Sequence, residues 1–170
     1  DTRVSGGLLR LLGLDKRLLP LHEHNESEAA QVVLRALQEG QRVAYVSDAG
    51  TPAVSDPGAR LVHLVQQAGG RVTPLPGPSS VTTALSAAGD VVAQGFHFMG
   101  FVPAKGAARE AALARLPLDG VSAVLFEAPH RVAALARDLA QRTPGARLTL
   151  ARELTKQFEE VVSLLAQDWP

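Results

Sequence analysis

Two loops rich in glycine, proline and serine constrain the fold of this chain most. Each follows a short apolar run, residues 42–47 (RVAYVS) and 71–75 (RVTPL), which we predict to be buried strands. Each also precedes a segment with helical spacing of apolar residues. Pro57 is expected in the first turn of one helix, and Ser79 is expected to cap another that runs to about residue 88. The order strand, loop, helix, repeated twice, predicts parallel β-α-β units with right-handed crossovers.

Further helices and strands are predicted on both sides of these units. Asn25 and Glu28 have the spacing of a capping box at the start of a helix that Gly40 ends. After residue 93 the pattern changes, and we predict a domain boundary there, with domains 1–93 and 94–170. In the second half we expect strands near 96–101, 121–127 and 148–152, and helices over about 105–116 and 129–142. Residues 158–165 fit either a strand or a short helix.

The two loops, residues 48–58 and 76–80, are the first candidates for a binding site. Ligands of open α/β sheets bind beyond the carboxyl ends of the strands, where both loops are predicted to lie. Small residues let a ligand approach the backbone, and Asp48, Thr51, Ser79 and Ser80 offer carboxylate and hydroxyl groups. The same residue types also cap helices, so a pair of ordinary strand-to-helix turns is an alternative interpretation.

Composition excludes several classes of function. The 170 residues carry 17 basic and 17 acidic side chains, so no bulk positive charge indicates a nucleic-acid partner. There is no cysteine, which excludes disulfides and thiolate chemistry. No apolar run is long enough to span a membrane, and neither a dinucleotide GxGxxG fingerprint nor a phosphate-binding P-loop occurs. A cytoplasmic protein is the expectation.

Three polar segments outside these loops could carry chemistry. His22 and His24 suggest a metal site, but no third ligand is identifiable, and we predict that no metal binds. Glu127 and His130 follow a predicted strand and could transfer protons or simply cap a helix. The basic loop around Lys105 could hold a phosphate backbone or be an interdomain linker.

Several stretches together resemble a known family. They are VSDAGTPAVSDPG (46–58), PLPGPSSVTTALSAAG (74–89), GFVPAK (100–105), LFEAPHRV (125–132) and ARELTKQFEE (151–160), with HEHNE (22–26) after an opening DTR. In this order they resemble the tetrapyrrole-methylase superfamily, in the branch that methylates a cytidine ribose 2′-hydroxyl in small-subunit (16S) ribosomal RNA. The resemblance extends over essentially the whole chain.

The resemblance implies a fold and a cofactor. It implies two α/β domains, a parallel-sheet N-terminal domain and a mixed-sheet C-terminal domain, as in class III methyltransferases, with S-adenosylmethionine in the cleft between them, and a homodimer. The family's first strand and its closing strand are not found in this sequence, and we expect the chain to be a fragment of a longer polypeptide. By motif position, the residues expected to contact the cofactor are Asp48, Ala49, Gly50, Thr51, Ser79, Ser80, Glu127 and Leu154.

Methyl transfer to a ribose hydroxyl benefits from a base, and an RNA substrate needs cations. The candidates for the base are Glu153, Glu127 and Lys105, in that order. Candidates for phosphate contacts are Arg3, Lys105, Arg109 and Arg131. Three alternatives remain open: a methyltransferase acting on a tetrapyrrole such as a corrin precursor, a non-catalytic RNA-binding or assembly module, and a Mg²⁺-dependent phosphotransferase using Asp48 and Asp56.

Overall fold

The computed structural model describes residues 1–117 and 120–169. Its helices and strands are α1 (Thr2–Leu11), α2 (Glu26–Gln38), α3 (Ala59–Gln67), α4 (Ser80–Ala88), β1 (Phe96–Phe101), α5 (Gly106–Ala114), β2 (Ser122–Phe126), α6 (Val132–Arg142), β3 (Arg147–Arg152) and β4 (Glu160–Leu165), with 3₁₀ turns at Pro129–Arg131 and Ala166–Asp168. The chain divides into two compact units, Asp1–Ser79 and Ser80–Pro170. The predicted domain boundary after residue 93 stays a prediction.

The first unit is built on the packing of α2 against α3. Its buried residues are Ala30, Val33, Leu61 and Val65, and Tyr45 is among the half-buried residues packed on them. Both helices end at a glycine in the left-handed conformation, Gly40 (φ +77) and Gly69 (φ +76). After each of them, the next amide bonds back to the helix, Gln41 to Ala36 and Gly70 to Val65, both at 2.9 Å. The stop at Gly40 confirms the helix end predicted there.

The second unit holds both pairs of strands found in the described part of the chain. β1 and β2 pair in parallel, and α5 is the helix between them in the sequence. The register of this pair shifts between Phe98 and Gly100. β3 and β4 pair antiparallel from Arg147 opposite Leu165 to Arg152 opposite Glu160. Val102, Leu113, Leu135 and Leu139 form the buried core of this unit. The α/β class with parallel pairing is thus confirmed, and residues 160–165 are a strand.

The two strands predicted in the first half are wrong. Residues 42–47 and 71–75 form neither strand nor helix. Val46 keeps 60% of its surface exposed and Leu75 keeps 85%. The apolar side chains on which the prediction of core strands was based are therefore largely exposed. A segment becomes a strand only when its backbone amides and carbonyls pair with a neighbour, and sequence periodicity does not reveal whether such a neighbour exists. The predicted N-terminal parallel sheet is therefore not seen among the described residues.

Two details at the amino end also differ from expectation. The sequence analysis predicts no helix at residues 2–11, yet α1 forms there although Gly6 and Gly7, which weaken a helix, lie in its middle. Asn25 does precede α2 as predicted, yet its side chain does not cap that helix. Its Oδ1 accepts from the amide of His22 at 2.8 Å and its Nδ2 donates to the carbonyl of Pro20 at 3.0 Å. The side chain closes the turn before the helix, and the capping-box prediction is wrong.

Candidate functional site

The loop of residues 48–58 is shaped by unusual backbone conformations. Gly50, Ala53 and Ser55 all have positive φ, at +67°, +65° and +51°. For residues other than glycine this conformation costs about 1–2 kcal/mol each, and such strain is concentrated at functional sites. The hydroxyl of Ser47 donates to the carbonyls of Ala49 (3.2 Å) and Gly50 (3.1 Å) and tightens the turn. Asp48, Ala49, Gly50 and Thr51 are all exposed, so their polar groups are accessible to a ligand.

A hydrogen bond joins this loop to the second glycine- and proline-rich loop. The Thr51 hydroxyl donates to the carbonyl of Pro78 at 3.0 Å. Gly50 and Ser79 each adjoin one end of this bond, so the two predicted loops do meet within the first unit. Ser79 is half-buried, and Ser80 after it is the exposed first residue of α4. No atom lies within 4 Å of the place where a Cβ on Gly50 would stand, so the backbone there is open to close approach.

A tyrosine fixes the far end of the first loop. The Tyr45 hydroxyl donates to the carbonyl of Pro57, and its ring covers Gly58, whose φ is +121°. A Cβ on Gly58 would overlap Cε1 of that ring, so only glycine fits there. Burial, with a smaller contribution from the nearby charge of Asp56, raises the pKa of Tyr45 to about 12. The residue therefore stays neutral while it ties the loop to the α2–α3 core.

Arg3 lies at the start of α1. Its guanidinium pairs with the carboxylate of Asp1. Arg3 has 89% of its side chain exposed, which leaves most of its guanidinium facing solvent. It remains a candidate for a phosphate contact.

In the second unit, a network of four charges surrounds the end of β2, in which Arg109 and Glu127 are buried and Arg131 and Asp138 are half-buried. Glu127, whose side chain is 5% exposed, accepts from Arg109 Nη1 at 3.4 Å and from Arg131 Nη2 at 2.5 Å. Arg109 in turn donates to Asp138 Oδ2 from Nε at 2.9 Å and from Nη2 at 2.7 Å. Burial alone would lower the pKa of Arg109, but hydrogen bonds and charges from Asp138 and Glu127 outweigh it, and the pKa is raised. Two cations and two anions thus balance one another.

This network changes the interpretation of two predicted site residues, Arg109 and Glu127. Arg109 is only 8% exposed and its nitrogens bind Asp138, Glu127 and the carbonyl of Pro103, so little of it can reach an RNA phosphate. Glu127 Oε1 also accepts the amide of Ala128 at 2.8 Å. With both oxygens engaged, Glu127 is suited to hold groups in place and poorly suited to remove a proton. Arg131 is 24% exposed, and its buried Nε has no hydrogen-bond partner.

The remaining predicted residues lie on two exposed loops of the second unit. Lys105 is exposed at the residue preceding α5. Glu153 and Leu154 lie in the loop between β3 and β4, where Glu153 (φ +49) and Thr155 (φ +67) are both left-handed. The Glu153 carboxylate is 49% exposed, with Lys156 Nζ at 3.2 Å. Of the two candidate carboxylates, Glu153 is therefore the one that solvent reaches, since Glu127 is buried.

Other predictions have simpler outcomes. The rings of His22 and His24 are 6.1 Å apart, and no group of three potential metal ligands occurs in residues 1–117 and 120–169. Within those same ranges, no helix combines the length and apolarity needed to cross a membrane.

Sequence reasoning missed Tyr45 and Asp138. An isolated tyrosine before a glycine-rich loop is a weak indication of the first, and nothing local points to the second.

Comparisons with known proteins fit this geometry. The family model for tetrapyrrole (corrin/porphyrin) methylases matches residues 8–168. Proteins named ribosomal RNA small subunit methyltransferase I are similar to the chain: 46% identical over 163 residues in Neisseria meningitidis serogroup B, and 44% over 162 residues in Escherichia coli O157:H7. A third, from Vibrio cholerae, is 42% identical over 177 residues. These alignments cover 96%, 95% and 99% of this chain, but only 56%, 56% and 61% of the relatives.

A solved structure shares the fold. The crystal structure of the methyltransferase CobJ superposes with a TM-score of 0.62 at 22% identity, over 91% of this chain and 66% of that one. Identity this low supports the fold alone. The family model, in contrast, matches nearly the whole length of the sequence, and the chain belongs to the tetrapyrrole (corrin/porphyrin) methylase family.

Proposed function

We propose that this protein is an S-adenosylmethionine-dependent methyltransferase that modifies the 2′-hydroxyl of a cytidine ribose in 16S ribosomal RNA of the small subunit. The observation that carries the proposal is the 41–46% identity, over 94–99% of the chain, to proteins named ribosomal RNA small subunit methyltransferase I. An RNA substrate of this kind places the protein in the cytoplasm, and the resemblance stated above favours a homodimer.

The residues of the two loops, 48–58 and 76–80, fit the proposed cofactor. S-adenosylmethionine presents an ammonium group, ribose hydroxyls and a sulfonium that supplies the methyl group. The carboxylate of Asp48 and the hydroxyls of Thr51 and Ser80 match the ammonium and ribose groups in hydrogen-bonding capacity. The open backbone at Gly50 allows close contact with a flat nucleoside. We assign Ala49 and Ser79 to the same site, and Glu127 and Leu154 to contacts with the adenosine.

The chemistry asks little more of the protein than alignment and a base. The ribose oxygen must be held about 3 Å from the methyl carbon and in line with the bond that breaks. A base that removes the hydroxyl proton contributes roughly 10²–10⁴-fold. We assign this role to Glu153 ahead of Lys105 because its carboxylate is exposed on a constrained loop, whereas the carboxylate of Glu127 is buried among donors. Lys105, Arg131 and Arg3 would contact RNA phosphates.

Replacing the proposed base should separate chemistry from binding. We expect Glu153→Gln to lower the methylation rate about 100-fold or more, since the amide cannot accept the ribose proton. Binding of S-adenosylhomocysteine, measured by calorimetry, should stay within about twofold of wild type. Lys156→Gln is the matched control, because it removes the ion partner of Glu153 and keeps the carboxylate. A methylation rate unchanged by Glu153→Gln, or equal losses of rate and binding, would reject the assignment.

The proposed function is tested by determining which substrate the protein methylates. Purified protein is incubated with small ribosomal subunits and S-adenosylmethionine labelled in its methyl group, and the modified nucleotide is mapped. Transfer to a cytidine 2′-hydroxyl is the expected result. A parallel reaction with a corrin precursor, followed by absorbance, tests the tetrapyrrole alternative that the family's description suggests. A protein that methylates neither substrate and gives no heat with S-adenosylhomocysteine would be a non-catalytic module.

A further inference from the structure

Two ion pairs connect the same two helices, α5 and α6, and they differ in exposure and in their contact with Glu127. Arg109 pairs with Asp138, and the neighbouring Glu110 pairs with Arg142. Arg109 is 8% exposed, whereas the side chain of Glu110 is 65% exposed. Only the first pair also contacts Glu127. A substitution in the second pair therefore measures what an ion pair between α5 and α6 contributes to ligand binding when that pair does not contact Glu127.

Asp138 determines where the Arg109 guanidinium points. Its Oδ2 accepts from both Nε and Nη2, so one edge of the planar guanidinium is fixed by two bonds. The remaining nitrogen, Nη1, is thereby directed to the carbonyl of Pro103 at 3.1 Å and to Glu127 Oε2 at 3.4 Å. Loss of the Asp138 charge would free the guanidinium to rotate away from Glu127.

Arg109 is also the one donor on Glu127 Oε2 seen within the described residues. Oε1 receives the amide of Ala128 and Arg131 Nη2 from the 3₁₀ turn that follows β2. The donors on the two oxygens together fix the plane of the carboxylate. Without Arg109, the carboxylate would be held at one oxygen only and could turn about its terminal bond.

We propose that Asp138 is a positioning residue, which acts through Arg109 to hold the Glu127 carboxylate in the orientation used for the cofactor. This inference rests on the proposed function, which assigns Glu127 to the adenosine contacts. Asp138 itself touches neither cofactor nor substrate in this scheme. Its contribution is to reduce the freedom of a group that a ligand would otherwise have to order on binding.

The first test compares the two ion pairs. Asp138→Asn keeps the shape of the side chain and removes its charge, and we expect it to weaken binding of S-adenosylhomocysteine about tenfold in calorimetry. Glu110→Gln makes the same chemical change in the exposed pair and should leave the affinity within about twofold of wild type. Asp138→Glu, which restores the charge, should recover part of the affinity. Equal effects of Asp138→Asn and Glu110→Gln would overturn the proposal.

The second test asks whether Asp138 acts through Glu127. In a Glu127→Gln background, Asp138→Asn should have almost no further effect on affinity, because the group it positions is already changed. A purely structural role would weaken binding by the same factor in both backgrounds, and that result would overturn the proposal. If Asp138→Asn fails to fold, Arg109→Lys replaces it in the same cycle. Wild-type protein that binds no S-adenosylhomocysteine would reject the proposed function together with this inference.

Discussion

The loops of the first unit and the strand end of the second are held in place by opposite means. Residues 48–58 are fixed by neutral contacts, namely left-handed backbone positions, the Thr51–Pro78 hydrogen bond and the Tyr45 ring over Gly58. The end of β2 is fixed by four charges, of which Arg109 and Glu127 are buried and Arg131 and Asp138 are half-buried. One arrangement depends on shape and the other on charge.

The difference teaches where each region is vulnerable. A neutral, sterically fixed loop tolerates changes of salt and charge but not an added carbon atom. A buried charge network tolerates changes of shape at its edges but not the loss of one member, because the partner is left uncompensated. Substitutions can therefore be chosen that damage one region and spare the other.

An added methyl group should damage the first region most. Gly58→Ala places a Cβ against the Tyr45 ring in a backbone conformation that alanine avoids, and we expect a loss of about 4 kcal/mol in unfolding free energy. Gly40→Ala is the matched control: Gly40 also has positive φ, but no atom lies within 4 Å of its added Cβ, so the loss should be about 1 kcal/mol. Urea denaturation measures both. Equal losses would show that backbone conformation, and not the ring, excludes other residues at Gly58.

Loss of one charge should damage the second region nearly as much. Arg109→Met leaves Glu127 and Asp138 without their shared cation, and we expect a loss of about 3 kcal/mol. Arg142→Met removes the exposed pair between the same helices and should cost less than about 1 kcal/mol. The comparison is made by urea denaturation at low and at high salt, and the loss in Arg142→Met should depend more on salt than the loss in Arg109→Met, because Glu110 is far more exposed than Arg109. Similar losses in both variants would remove the contrast between the two regions.

The fold could be predicted from sequence where each strand has its partner nearby in the chain. β1 and β2 pair across one helix, and β3 and β4 across one loop. The apolar runs located β1, β2 and β3 to within one residue, whereas residues 158–165 fitted either a strand or a short helix. The runs at 42–47 and 71–75 have the same pattern, but nothing among the described residues pairs with them as a strand. Periodicity predicts that a segment can be a strand and does not specify what it pairs with.

The candidate site was likewise predictable from the sequence only in part. The loops 48–58 and 76–80 are predicted to lie at the same edge of a sheet, and the Thr51–Pro78 bond joins them although residues 42–47 and 71–75 form no strands. Arg109, Glu127 and Arg131 were each singled out, but with separate roles. Their joint network depends on Asp138, which lies 29 residues from Arg109 on a helix whose spacing gives no reason to select it. Contacts of this kind come from tertiary packing, and a single sequence carries no record of them.

The smallest expected effect concerns the titration of Tyr45, in the region that is held by neutral contacts. Tyr45 is the one tyrosine of the chain, and burial with the nearby Asp56 charge raises its pKa to about 12 from 10. Below pH 10 the residue is neutral in both folded and unfolded protein, so stability should not vary through it. Between pH 10 and 12 the unfolded chain loses the proton first, and stability falls as pH rises. Because Tyr45 is only partly buried, we expect a loss of about 1 kcal/mol, absent in Tyr45→Phe. Absorbance at the tyrosinate band reads the titration directly, and a midpoint near pH 10 in folded protein would mean that the ring is not held against Gly58 as described.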